Sequence, residues 1–276
     1  MQQFQSLYCK AEDLLLEALG LRGTIPTCRT NASLSDGSLL SSETTPTTTN
    51  HSIKNFSESF LATGRLDAEY YQPKYEEMEN LIKKKIPFDI VENICSHINY
   101  GTVPTSPYTE NGEGTPYIKG MNLNNLQITG TLDKIINTND LPDKFYTKEG
   151  DIVISQMGTV GDVGVISKKE ENFLFASFTI RIRIKDKDKE KYNPYYVGLY
   201  IQNIAKEWYL LRNIAQASVR QNTDLPTIKN MYIPFIDEKI QQEIADLIQA
   251  SFSLRSESEC LLEEAKEIVE REVGED

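Results

Sequence analysis

The chain has 276 residues, with 29 Lys and Arg against 41 Asp and Glu, a formal net charge of −12 and a pI of about 4.8. Hydrophobic residues make up 39% and charged residues 25%, the balance of a soluble globular protein with one large domain or one domain with appendages. No window approaches the roughly 18 consecutive apolar residues of a membrane span. The start, Met1-Gln-Gln-Phe-Gln-Ser, lacks the basic and apolar regions of a secretory leader, so a cytoplasmic location without membrane contact is expected. Cys9, Cys28, Cys95 and Cys260 form no CxxC, and His51 and His97 stand alone. An ordinary Cys/His zinc site is therefore excluded, no metal is expected, and nothing asks for a disulfide.

The acidity is uneven. Residues 237–276 hold 13 acids and 4 bases, a balance of −9, whereas the remainder holds 28 acids and 25 bases, a balance of −3. An acidic protein is a poor ligand for phosphate. That objection applies to the C-terminal segment and only weakly to the near-neutral middle.

In chain order, residues 3–22 read as a helix: Leu7, Ala11, Leu14, Ala18 and Leu21 lie on one stripe, and Gly20 and Gly23 end it. Residues 24–59 are rich in Ser and Thr and poor in large apolar side chains, the composition of a linker that cannot offset its ordering entropy. Between 60 and 85 a short helix ends in Lys83-Lys84-Lys85 and is stopped by Pro87. Residues 86–236 are strand-rich, with short β-branched or aromatic runs at 90–94, 116–119, 152–155, 163–167, 173–175 and 178–184. In the last, strict alternation sends the isoleucines to one side and Thr179, Arg181 and Arg183 to the other. Residues 194–212 turn helical, with Trp208 on the core face.

Residues 237–273 read as one long helix with Asp237 as N-cap. Ile240, Ile244, Leu247, Ser251, Leu254, Ser258, Leu261, Ala265, Ile268 and Glu272 recur at alternating spacings of four and three, a heptad seam that asks for a partner helix. The terminal helices echo each other, Ala11-Glu-Asp-Leu-Leu-Leu-Glu-Ala-Leu-Gly against Ala265-Lys-Glu-Ile-Val-Glu-Arg-Glu-Val-Gly. The fold class expected is α+β: a strand-rich domain over 60–236, flanked by an N-terminal helix over 1–23 and a coiled-coil-type helix over 237–276.

No constellation of catalytic residues emerges. Gly158-Thr-Val-Gly-Asp-Val-Gly164 runs from strand to strand and lacks GK[ST], so it reads as a glycine-rich turn and not a phosphate loop. Asn193-Pro194-Tyr195-Tyr196 has a methyltransferase flavour but lacks the second proline and any FxGxG before it. Pro142-Asp143 with Glu149 and Asp151 lacks the lysine of a nuclease cluster. The chain therefore reads as non-catalytic and free of a cofactor of its own. The loops around Asn99, Lys119, Ser155 and Ser218 carry Gln, Asn, Arg and Lys, side chains that can bond base edges or phosphates.

Four stretches together resemble the specificity (S) subunit of type I restriction-modification systems. They are Arg65-Leu-Asp-Ala-Glu-Tyr-Tyr-Gln-Pro-Lys-Tyr, Gly114-Thr-Pro-Tyr-Ile-Lys-Gly-Met-Asn-Leu, Glu149-Gly-Asp-Ile-Val-Ile-Ser-Gln-Met-Gly-Thr-Val-Gly, and the run from Gln221 through Pro226 and Pro234 to Ile244. The resemblance covers about 64–273. It implies a target recognition domain over 60–236, with conserved spacer helices that pair antiparallel and a linker over 24–59. The implied partners are double-stranded DNA, methyltransferase (M) subunits that bring S-adenosylmethionine, and restriction (R) subunits in the full complex. Each recognition domain of that family reads half of a bipartite target. With one such domain, this chain matches either a half-length subunit that dimerises through its helices or the C-terminal half of a longer one. Lys119, Asn122, Gln156, Arg181, Arg220 and Gln221 are the candidates for DNA contact. Leu247, Leu254, Leu261, Ala265 and Ile268 are the candidates for helix–helix contact. Weak DNA binding is expected without partner subunits, because the reader is nearly neutral. Two other readings stay open, the recognition part of a fused restriction-methylation enzyme and an assembly or regulatory protein that does not read DNA.

Overall fold

The computed structural model describes residues 2–23, 25, 52–104, 109, 113–136, 138, 140–214 and 222–273. Most of the expected linker at 24–59 lies outside them. Helix α1 (Gln2–Ala18) buries Ala11, Leu15 and Leu16, and Leu19 just past its end is buried too. The chain then reverses, with Leu21 N–H donating to the Leu16 carbonyl at 2.7 Å. Cys9 on α1 is disulfide-bonded, which corrects the expectation of no disulfide. Spacing along the chain carries no information about which distant cysteine folding brings near.

A short helix α2 (Phe60–Thr63) precedes α3 (Pro73–Lys85), which starts on a proline and ends on three lysines as its dipole favours. Strand β1 (Phe88–Ile90) gives way to a helical turn, α4 (Val91–Ile94), where a strand was expected. Val91 and Ile94 are both buried, and a separation of three suits a turn of helix, not a pleat. The next segment, Cys95–Tyr100 (β2), did not read as a strand because Ser96 and His97 are polar and exposed. It becomes one by pairing with a distant strand.

The remaining elements follow as β3 (Thr115–Ile118), β4 (Leu123–Asn124), β5 (Gln127–Ile128), β6 (Asp133–Ile135), β7 (Ile152–Ser155), β8 (Val163–Val165), β9 (Leu174–Phe175) and β10 (Thr179–Ile184). Helix α5 (Pro194–Tyr200) runs through a π-helical stretch (Ile201–Leu210) into α6 (Leu211–Asn213). Then come α7 (Leu225–Asn230), β11 (Tyr232–Pro234) and the 36-residue α8 (Glu238–Val273). Asn193 caps α5 by accepting from Tyr195 N–H at 2.9 Å, which accounts for the Asn-Pro step. Asp237 caps α8 as expected, accepting from Lys239 N–H at 2.9 Å.

The architecture is α+β. The central sheet is antiparallel with order β2-β10-β7-β8. Its inner face, Ile152, Ile154, Ile180, Ile182 and Ile184, joins the main core with residues of α1, α3, α5 and the first half of α8. A second sheet, β6-β3-β9, and the β4-β5 hairpin cover the other side. There Val153 joins Ile118, Leu123, Ile166 and Phe175 in a smaller core. Strands β1 and β11 form a separate antiparallel pair.

Candidate nucleic-acid interface

The two ends of the central sheet have different surroundings. At one end β10 finishes opposite Cys95, and Lys185 N–H donates to the Ile94 carbonyl. Gln241, on the first turn of α8, ties down this end. Its amide donates to the carbonyls of Lys191 and Ile236, both at 2.9 Å, and its oxygen accepts from Asn193 N–H at 2.9 Å. The long helix therefore grows from this end.

The opposite end is formed by Tyr100, Ser155 and Thr179, which the register sets side by side through Ile180–Tyr100 and Thr179–Ser155. Several loops converge there. Gly101 N–H donates to the Thr179 carbonyl, Gln156 N–H to Phe178 and Ser177 N–H to Thr102. Ala176 N–H donates to Ile118, and Thr223 N–H to Gln156. Glycine allows this crowding. A Cβ at Gly101 would fall on the carbonyls of Phe175 and Ala176, and one at Gly120 would approach Ser155 Oγ to 2.9 Å.

Among the described residues α7 meets this end through Leu225 N–H, which donates to the Tyr100 hydroxyl at 3.2 Å, and apolar side chains are exposed there. Met121 is 83% exposed, Val103 66% and Phe178 59%. Behind them, Asn222 Oδ1 and Thr223 Oγ1 are buried and find no hydrogen-bond partner among the described residues. Buried polar atoms are nearly always paired, and these two are exceptions among the described residues. The nearby lysines are neutralised. Lys119 pairs with Asp133, and Lys206 with Asp162 at 2.6 Å.

The sequence candidates for DNA contact divide. Gln156 is half-buried at this end. Lys119 and Asn122 flank the exposed Met121, but Asn122 is turned inward. Its oxygen accepts from Lys119 N–H at 2.9 Å and its amide donates to the Thr129 carbonyl at 3.0 Å, so it shapes the loop. Arg220 and Gln221 lie outside the described residues, next to Asn222, which bridges to Met157.

Arg181 requires a correction. Alternation put it opposite the isoleucines and it was a candidate for DNA contact, but the second sheet and the loop at 143–146 cover that face, and the side chain is 0% exposed. Its guanidinium donates to Asp151 Oδ2 at 3.1 Å, to Asn99 Oδ1 at 2.6 Å and to the Lys144 carbonyl at 2.9 Å. Arg183 holds the same carboxylate through Nε at 2.6 Å and Nη2 at 2.7 Å. Burial lowers the Arg181 pKa, while the Asp151 charge opposes the shift. On β2, His97 sits opposite Arg183, and burial followed by the two arginines lowers its pKa. Arg181 is thus a fold residue: the fork that could bind a base edge is committed to an internal carboxylate.

Met121, Val103 and Phe178 were missed by the sequence reading, which sought polar side chains in loops. For Val103 and Met121 the available signal was a large apolar residue beside Pro104 or Gly120, whereas Phe178 in Ala176-Ser-Phe-Thr carries no such mark.

On α8 the helix–helix candidates also divide. Leu247 is half-buried against the main core, and Leu254 is half-buried. Leu261 is 58% exposed, Ile268 45%, and Ala265 is exposed too. Among the described residues no cluster of three or more His, Cys, Asp or Glu is placed to hold a metal ion. None of the described helices is long and apolar enough to cross a membrane.

A family model described as "Type I restriction modification DNA specificity domain" matches residues 91–264. No curated protein matches. Among solved structures, the chain is similar to one from a study of complex assembly and conformational transition of the type I R-M system. That match has 18% identity and a TM-score of 0.42, covering 68% of this chain and 50% of that one. It is also similar to the HsdS subunit from Thermoanaerobacter tengcongensis, with 18% identity, a TM-score of 0.43, and 67% and 46% covered. A third is the type I restriction-modification S subunit from M. genitalium, with 17% identity, a TM-score of 0.44, and 69% and 46% covered. The chain spans about half the length of these solved chains.

Proposed function

We propose a function from one premise: the chain belongs to the type I restriction modification DNA specificity domain family. In this reading it is the non-catalytic reader of a restriction-modification complex and recognises one half of a bipartite DNA target. Methyltransferase subunits carrying S-adenosylmethionine dock on it, and restriction subunits join them in the full complex. The second half of α8 pairs with a helix of another recognition unit, a second copy of this chain or a second domain, and fixes the separation of the two half-sites.

The observation that carries the reading is the span of the family match. Residues 91–264 include the whole central sheet with its open end, and most of the helix that leaves from the other end. A reading head with a free end and a rod at its back suits a protein that must present DNA to enzymes held on the rod. The paired lysines leave little net positive charge at the head, so binding to DNA is weak until partner subunits add phosphate contacts.

The test is methylome sequencing of cells that carry this chain with its cognate methylase, against cells lacking the chain. The expected outcome is a bipartite motif methylated only when the chain is present. Methylation indifferent to the chain would overturn the reading.

A further inference from the structure

We propose that the open end of the central sheet reads an A·T base pair through apolar contact with the thymine C5-methyl group, made by Phe178 and Met121. The inference rests on the DNA-reading function proposed above and names what that reader recognises.

Elsewhere among the described residues, large exposed apolar side chains fall mainly in two other places, the segment from Ile53 to Leu66 and the second half of α8. At the open end, Val103, Met121 and Phe178 come from three separate segments. Each is anchored by backbone hydrogen bonds or close approach to the same few residues. Phe178 O accepts from Gln156 N–H, Gly120 beside Met121 lies against Ser155, and Thr102 beside Val103 exchanges bonds with Phe175 and Ser177. A protein does not expose several large apolar groups on rigid supports without a cost in solubility, and such patches mark contact sites. The anchors are strand ends, so the backbone beneath these side chains is held in place before binding.

The occupant follows from the chemistry. In the major groove thymine alone among the four bases offers an apolar group, and phenylalanine is among the side chains that meet it. Phosphate is a poor partner here because the adjoining Lys119 and Lys206 are already paired with acids. Gln156, half-buried at the same end, is of the type that bonds adenine N6 and N7, so one edge offers chemistry for both members of an A·T pair. α8 starts at the other end of the sheet, where Gln241 is fixed, and its Arg255 reaches the Gln127 side chain of the β4-β5 hairpin.

The experiment uses the full chain in complex with its methyltransferase subunits, and a duplex carrying the motif found by methylome sequencing. Each thymine of the half-site is replaced in turn by deoxyuridine, which removes only the C5-methyl, and affinity is measured by fluorescence anisotropy. At one or two thymines the replacement is expected to weaken binding about three- to tenfold, the range for losing a methyl contact from an apolar site. Phe178→Ala is expected to weaken binding to the thymine duplex but to add little on the uridine duplex. Phe178→Leu should retain most of the discrimination, and Met121→Ala should lose less than Phe178→Ala. A flat uridine scan, a half-site without an A·T pair, or equal losses by Phe178→Ala on both duplexes would overturn the inference while leaving specific DNA binding intact. If the wild-type complex shows no sequence preference, the functional reading itself fails and this inference falls with it.

Discussion

The two halves of α8 share one helical sequence pattern and have opposite surroundings. In the first half Gln241, Ile244, Ala245, Ile248 and Ser251 are buried against α1, α5 and the main core. In the second half every residue from Glu259 to Arg271 is exposed, including Leu261, Leu262, Ile268 and Val269. The buried stripe is also not quite the heptad seam: Ile248 is fully buried, whereas the seam residue Leu247 is only half-buried. The difference teaches that a periodic apolar stripe states a requirement for cover without saying who supplies it. In the first half the domain meets the requirement; in the second, nothing among the described residues does.

Three variants test this contrast. The largest effect is expected from Ile244→Ala, which opens a cavity in a fully buried site. Chemical denaturation should show a loss of about 2–5 kcal/mol, and a loss below about 1 kcal/mol would mean that the first half is not part of the core. Next is Ser251→Ala. It removes the bond from Ser251 Oγ to the Phe4 carbonyl at 2.8 Å, the point where α1 is tied to the middle of α8. About 1 kcal/mol should be lost, with faster exchange of the amide protons of α1. Slow exchange of those amides unaltered by the change would show that the tie does not hold α1. The smallest effect on folding is expected from the pair Leu261→Ser and Ile268→Ser. Both positions are exposed, so the unfolding free energy of the domain should stay within about 0.5 kcal/mol of the original. Association through the helix, measured by analytical ultracentrifugation of the chain with its methyltransferase subunits, should be lost. If association survives, the second half of α8 is not the seam.

Much of the scaffold was legible from local chemistry. The strict period of the C-terminal segment, with Asp237 before it, fixed one long helix, because caps and periodicity act within a few residues. The run at 152–155, the glycine-rich turn and the run after it were legible as a hairpin for the same reason. The turn at 91–94 and the strand at 95–100 were not. Their conformations depend on Met231, which receives Val91 N–H, and on β10, which pairs with β2. The candidate interface was legible in part. The candidate Gln156 lies at this end of the sheet, because a residue leaving a strand is a local signal. Arg181 was misplaced and Phe178 overlooked, because exposure is decided by what packs over a residue.

What the sequence determined by itself is the set of elements fixed by nearby residues: the terminal helices and the hairpin of β7 and β8. Tertiary structure alone decided which faces those elements show. It closed a second sheet over Arg181 and bound Arg181 and Arg183 to the single carboxylate of Asp151. It left Phe178 and Met121 outside and divided one helix into a covered and an uncovered half. The physical reason is range. Backbone geometry is set by neighbours along the chain, whereas burial is set by atoms that are near only after folding.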